Sequence, residues 1–249
     1  MRYLVLTDIH ANLEALEACL ADAGARGYDR TLVLGDIVGY GPDPNEVIER
    51  VRALEPLTIV RGNHDKVACG IEEPEGFNVV ARSAALWTLG VLTPEYRAWL
   101  AALPEGPILV DAVIEICHGS PFDEDAYIFD ELDVNHALKV SKRPLCLFGH
   151  THSRAAFEQA PNADMVDPVS LRHSGEVEIM LRDGFKYLLN PGSVGQPRDG
   201  DPDAAWLLLD LEARHASFGR VSYDVARTQA EIREAGLPDA LADRLALGV

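Results

Sequence analysis

Five short clusters of acid, amide and imidazole residues each follow an apolar run, and that repeated placement limits the folds open to this chain. The clusters are Asp8-Ile9-His10, Gly35-Asp36, Gly62-Asn63-His64-Asp65, His118-Gly119 and Gly149-His150-Thr151-His152. Each stands where a strand should give way to a loop. No hydrophobic core needs such a set. It calls for a fold in which strand tips meet, and α/β sheets form sites at the C-terminal edge of their strands.

The intervening sequence supports this. Tyr3 to Thr7 is a short apolar run suited to a buried parallel strand. Asn12 is placed to cap a helix with Leu13, Leu16 and Leu20 on one face and Gly24 at its end. Thr31 to Leu34 is a second strand. Asp43, Pro44 and Glu46 form an N-cap, first-turn proline and capping-box pattern, ahead of a stripe of Val47, Ile48, Val51 and Leu54. Leu57 to Val60 is a third strand, so the first 65 residues read β-α-β-α-β. Helices are expected over Val79 to Val91 and Pro94 to Leu103, then two short strands within Ile108 to Cys117 and another at Leu145 to Phe148. Short strands after His152 suggest a second, mostly antiparallel sheet, and two surface helices close the chain. A single domain over residues 1–249 is the natural sum.

Composition narrows the partners. The formal net charge is -18. Such a chain repels polyanions at long range, which excludes extended duplex nucleic acid. The four cysteines have no metal-type or disulfide-type spacing, as expected of a reducing cytoplasm. No apolar run approaches a membrane span. Self-association is left open.

Asp8 and His10 lie two apart on an extended segment, so both can reach one ion. Asn63 suits a turn, yet its carbonyl oxygen is also a hard neutral ligand. Carboxylate and amide oxygens mixed with imidazoles suit Mn²⁺, Fe or Zn²⁺, with Co and Ni admitted. The set is large enough for two ions sharing a ligand, an arrangement typical of phosphoryl chemistry. His136, His173 and His215 fall outside the clusters and read as ordinary surface or packing residues.

The five clusters, in order D-x-H, G-D, G-N-H-D, H and G-H-x-H, resemble the signature of the calcineurin-like metallophosphoesterase superfamily. That resemblance implies a four-layer α-β-β-α sandwich of two packed mixed sheets, with a dinuclear metal site at the strand ends. It implies that Asp8, His10 and His152 bind one divalent ion, that Asn63, His118 and His150 bind a second, and that Asp36 bridges them. Manganese is the first expectation for the pair. His64 is implied as a general acid facing a small phosphorylated substrate, with a metal-bridging hydroxide attacking phosphorus in line.

Other roles stay divided. Arg61 either holds phosphate oxygens or forms a surface ion pair. Asp65 either orients His64 or caps the next turn. The turn from Asn190 to Arg198 is either a plain β-turn or presents Ser193 or Arg198 to substrate. Protein phosphatases of the superfamily carry G-D-x-V-D-R-G, where this chain has Gly39 and Tyr40 in place of the Asp and Arg. Gly39 to Pro44, with the Asn190 turn, resembles instead the bacterial phosphodiesterase and diadenosine-tetraphosphatase-related group. Tyr40 either stacks on a base or packs on the fold. The alternatives to a phosphodiesterase or dinucleoside polyphosphate hydrolase are a phosphomonoesterase or protein phosphatase, and a non-catalytic protein-binding scaffold.

Overall fold

The computed structural model describes residues 1–171 and 176–249; His173 lies outside them. The chain begins β1 (Arg2–Leu6), α1 (Leu13–Arg26), β2 (Arg30–Val33), α2 (Pro44–Arg52) and β3 (Leu57–Ile59). The three strands are parallel, as the opening pattern predicts. The Asn12 side chain accepts the Ala15 N–H at 3.1 Å and starts α1. The helix passes through Gly24 and ends only at Gly27, whose φ of 76° favours glycine. An interior glycine costs roughly 1 kcal/mol, and burial of Leu16, Cys19, Leu20 and Ala23 outweighs it. Asp43 makes no side-chain cap bond, so the capping box expected with Glu46 is absent. Pro44 starts α2 without it, having no N–H to satisfy.

Next come α3 (Asn63–Cys69), α4 (Val79–Val91), α5 (Pro94–Ala101), β4 (Ile108–Leu109), β5 (Ile114–Ile116), α6 (Glu131–Val140) and β6 (Leu145–Leu147). The sequence pattern predicts neither α3 nor α6. The first turn of α3 is made of Asn63, His64 and Asp65, which read as loop. The capping box of α6, between Asp130 and Asp133, sits in a polar stretch with only a weak apolar stripe. The chain finishes with β7 (Ala155–Gln159), β8 (Asp167–Pro168), β9 (Val177–Met180), β10 (Lys186–Asn190), β11 (Ala204–Asp210), β12 (His215–Val221), α7 (Val225–Glu234) and α8 (Asp239–Leu245).

These late strands do not build an antiparallel sheet of their own. One sheet has the order β3-β2-β1-β11-β12-β9 and the other β4-β5-β6-β10-β7-β8. β11 pairs antiparallel with β1, setting Tyr3 against Leu209, while β10 runs parallel to β6. Both sheets are therefore mixed. Tyr3, Val5, Leu32 and Leu34 share one core with Ile116, Leu147, Leu189 and Leu207, between the sheets. The alternate residues Leu4, Leu6 and Val33 face Leu16, Ile48 and Trp206. Beyond the second sheet, Cys146, Phe148 and Leu188 pack on Val134, Ala137 and Leu138 of α6. The sum is the expected α-β-β-α sandwich.

This topology positions the clusters. The parallel strands β1, β2 and β3 run toward Asp8, Asp36 and Asn63; β5 and β6 run toward His118 and His150. The segment from Asn190 to Arg198 crosses from β10 in one sheet to β11 in the other, over the same edge. The four cysteines are buried free thiols. Among the described residues no helix is long and apolar enough to cross a membrane.

Candidate metal centre

Backbone bonds tie the cluster segments to one another. The Asp8 N–H donates to Gly35 O at 3.1 Å, and the His10 N–H to Asp36 O at 2.9 Å. The Gly149 N–H donates to His118 O at 2.8 Å. The Asn190 turn joins them: the Val194 and Gly195 N–H groups donate to Thr7 O and Asp8 O, each at 3.0 Å. The Ser193 hydroxyl also donates to Asp8 O, at 2.8 Å. Asp8, His10, Asp36, His150 and His152 all have φ between 50° and 67°. Non-glycine residues rarely take that left-handed conformation, and such strain concentrates at functional sites.

The side chains then converge. Nδ1 of His10, His118 and His152 lies 3.1, 2.8 and 2.6 Å from the carbonyl oxygens of Val38, Leu34 and Gln196. Each Nδ1 must donate, which leaves the Nε2 lone pair facing inward. His10 Nε2 and His152 Nε2 are 3.1 Å apart. Two lone pairs at that distance repel unless a cation draws them both. Asp36 Oδ2 is 3.5 Å from His10 Nε2 and 3.5 Å from His118 Nε2. Among the described residues it is buried without a hydrogen-bond partner, as are both ring nitrogens of His150. Asn63 Oδ1 is 3.2 Å from His118 Nε2. Two donor groups result, Asp8, His10, Asp36 and His152 in one and Asp36, His118 and His150 in the other.

The electrostatics suit a cation. Burial, reinforced by neighbouring imidazoles and Arg198, keeps His10 and His152 well below the ordinary imidazole range. Burial likewise holds His150 neutral. Neutral imidazole is the form that ligates. Burial pushes Asp8 up to about 7, and burial with the nearby Asp65 raises Asp36 well above the carboxylate range. Carboxylates so desolvated lack positive charge, and a divalent ion supplies it.

A calcineurin-like phosphoesterase superfamily domain matches residues 1–214. The chain belongs to that superfamily. It is 38% identical over 249 residues to the uncharacterized protein MJ0912 of Methanocaldococcus jannaschii, covering 98% of this chain and 97% of the relative. A metallophosphoesterase from Sphaerobacter thermophilus is 41% identical, with a TM-score of 0.86 over 100% of this chain and 99% of its own. The hypothetical protein PH1004 of Pyrococcus horikoshii shares the fold at TM-score 0.79 and 22% identity, over 100% and 98% of the two chains. This is a metal-dependent phosphoesterase of the calcineurin-like type.

His64 of this phosphoesterase is buried beside the first donor group. Its ring centroid is 4.9 Å from that of His10, 4.3 Å from Tyr40 and 4.6 Å from Phe77. Burial and Arg198 hold it well below the usual imidazole range, and its Nδ1 has no hydrogen-bond partner among the described residues. A Cβ on Gly39 would stand 2.5 Å from that nitrogen, so only glycine fits there. Asp65 does not orient His64. Its carboxylate accepts the N–H groups of Gly62 and Ile37 at 2.9 Å and of Val38 at 3.2 Å, capping α3 and tying it to the loop after Asp36.

Arg61 does not reach toward phosphate either. Its guanidinium meets Glu124 at 2.8 Å and Glu105 at 3.2 Å. The alternative reading, an ion pair, describes it. Ser193 is equally committed to backbone. The cationic residues near His64 are instead Arg198 and Arg244, with Cζ atoms 5.7 and 4.6 Å from the Tyr40 ring centroid. Both donate to Gln196 Oε1, Arg198 at 3.4 Å. Arg244 carries no motif signal, since it arrives on α8, far along the chain from any cluster. Tyr127 also lies outside every motif, yet its ring centroid is 3.8 Å from that of His150.

Proposed function

We propose that the chain is a dinuclear phosphohydrolase acting on phosphodiesters or dinucleoside polyphosphates. The observation that carries this reading is Asp36 Oδ2, buried, without a hydrogen-bond partner among the described residues, and equidistant at 3.5 Å from an imidazole of each donor group. Asp8, His10 and His152 would hold one divalent ion, Asn63, His118 and His150 the other, with Asp36 shared. Manganese fits the mixed oxygen and nitrogen donors, and Fe, Zn, Co and Ni remain compatible. Such a pair, when bound, lowers the pKa of a shared water and draws charge from phosphate oxygens.

The protein's own groups do the rest. His64, held by Tyr40, Phe77 and the Gly39 turn that its Nδ1 faces, would exchange a proton with the leaving oxygen through its other ring nitrogen, Nε2. Arg198 and Arg244 place positive charge beside it without a carboxylate partner among the described residues. The absence of an acid at Gly39 and of an arginine at Tyr40 separates the chain from the protein phosphatase pattern and favours the diester side. We place the whole activity in one domain and in the cytoplasm, on a small phosphorylated substrate.

The test is a Mn²⁺-supplemented panel of bis-p-nitrophenyl phosphate, p-nitrophenyl phosphate, cyclic nucleotides and diadenosine tetraphosphate. Diester or polyphosphate turnover should exceed monoester turnover. His64→Ala should lower kcat about 100-fold or more while metal content stays at the wild-type value. Faster monoester turnover rejects the substrate class, and inertness of the metal-loaded protein favours a scaffold.

A further inference from the structure

Residues 119–130 carry chemistry that the phosphohydrolase reading does not use. The loop is closely tied: the Gly119 and Ser120 N–H groups donate to Glu124 O and Asp123 O at 3.0 Å. Glu124 accepts from Arg61 and Lys66, and Asp125 from Lys66 at 2.5 Å. Ile128 is sunk in the core beneath α6. Its neighbours two apart, Tyr127 and Phe129, therefore emerge on the opposite side.

They emerge stacked. The Tyr127 ring lies 3.8 Å from His150 at an interplanar angle of 24°, and 4.8 Å from Phe129 at 9°. Two rings cannot share one face of a third at these separations. His150, Tyr127 and Phe129 thus form a column that starts at the metal cluster and ends in solvent. Tyr127 is 42% exposed and Phe129 75% exposed. An aromatic ring held flat against another, yet open on its outer face, is an unfinished stack.

We propose that Phe129 and Tyr127 form a stacking platform for a nucleobase of the substrate. The column sets the reach. The open face of Phe129 lies two rings beyond His150, too far for a planar group bonded directly to the phosphorus under attack. A base tethered through ribose and one or more further phosphates spans that gap. The platform therefore rests on the phosphohydrolase reading and narrows its substrate class to nucleotides, with the scissile phosphate several bonds from the base. Its flat, apolar face supplies no hydrogen-bond code, so the preference is for a base and not for one particular base.

Two measurements test this. Phe129→Trp reports binding without turnover: adenosine 5′-triphosphate should quench its added indole fluorescence saturably, and inorganic triphosphate should not. Phe129→Ala, at a position 75% exposed, should raise KM for diadenosine tetraphosphate about tenfold, in line with one lost base stack, with kcat close to wild type. Its KM for glycerophosphocholine, a diester with no planar group, should rise far less. Equal quenching by the two phosphates, no quenching by either, or an equal KM rise for both esters overturns the platform. A concentration-dependent dimer lost in Phe129→Ala, with no nucleotide quench, assigns the ring to self-association and also overturns it. Failure of the wild-type protein to turn over any ester defeats the phosphohydrolase reading alone, because the fluorescence measurement still decides the platform.

Discussion

The two flanks of the metal cluster are built by opposite means. On one, Tyr40 is packed among Ala81 and Ala84 of α4 and Ile232, Leu241 and Leu245 of α7 and α8. Arg198 and Arg244 lean on its ring and bond neutral oxygens. On the other, Arg61 and Lys66 are taken up by Glu105, Glu124 and Asp125, and the residues left facing outward are aromatic. Apolar packing leaves charge available on the first flank; ion pairing leaves flat apolar surface on the second. In a chain with 22 basic against 40 acidic residues, the position of the carboxylates decides which cations can face an anionic substrate.

Removing the group common to both flanks should have the largest effect. Asp36→Ala should empty both proposed ion positions, read by elemental analysis, and cut turnover roughly 1,000-fold, about 4 kcal/mol of barrier. Full retention of one ion would show that the two groups do not share this carboxylate. Next in size, Arg198→Ala should lower kcat about 100-fold through lost stabilisation of developing phosphate charge, with metal content intact. Arg61→Met is the matched test on the other flank. It should leave kcat within about threefold and instead lower stability in urea by about 1 kcal/mol, the scale of a partly exposed ion pair. A kcat loss as large as that of Arg198→Ala would erase the distinction between the flanks.

The smallest effect concerns the support under the first flank. Burial, then Glu14 and Glu231, push Asp43 up to about 7. A carboxyl raised on folding stabilises the protein fully below its ordinary value near 4, and that contribution is lost as pH rises through about 7. Asp43→Asn stays neutral throughout. Its melting temperature should gain a few degrees on the wild type between pH 5 and pH 8, measured by calorimetry. Parallel melting curves across that range would show that Asp43 does not titrate there.

The same contrast explains what was legible in the chain. Asp8, His10, Asp36, Asn63, His118, His150 and His152 could be picked out because each follows a strand directly, and local pattern is enough to find a strand end. Arg244 could not, because α8 comes to the cluster only through packing of α7 and α8 on Tyr40. Tyr127 and Phe129 belong to a loop whose course is set by Glu124 and Asp125 meeting cations from α3 and its approach, and no periodicity encodes that. The sharing of late strands between two sheets was likewise hidden, since Tyr3 pairing with Leu209 is a choice of partner and not of conformation. Arg61 and Asp65 show the limit of motif proximity: both lie within three residues of His64 in sequence, yet one faces Glu124 and the other backbone amides.

The left-handed backbone at Asp8, His10, Asp36, His150 and His152 has a consequence for anyone redesigning this protein. Asparagine and glycine adopt that shape with the least resistance. A library randomised at these five codons and selected only for soluble expression should drift toward Asn and Gly, giving hardier, inert scaffolds. Demanding turnover should pull the winners back to aspartate and histidine, so the gap between the two populations would gauge how much robustness the natural protein has given up for chemistry.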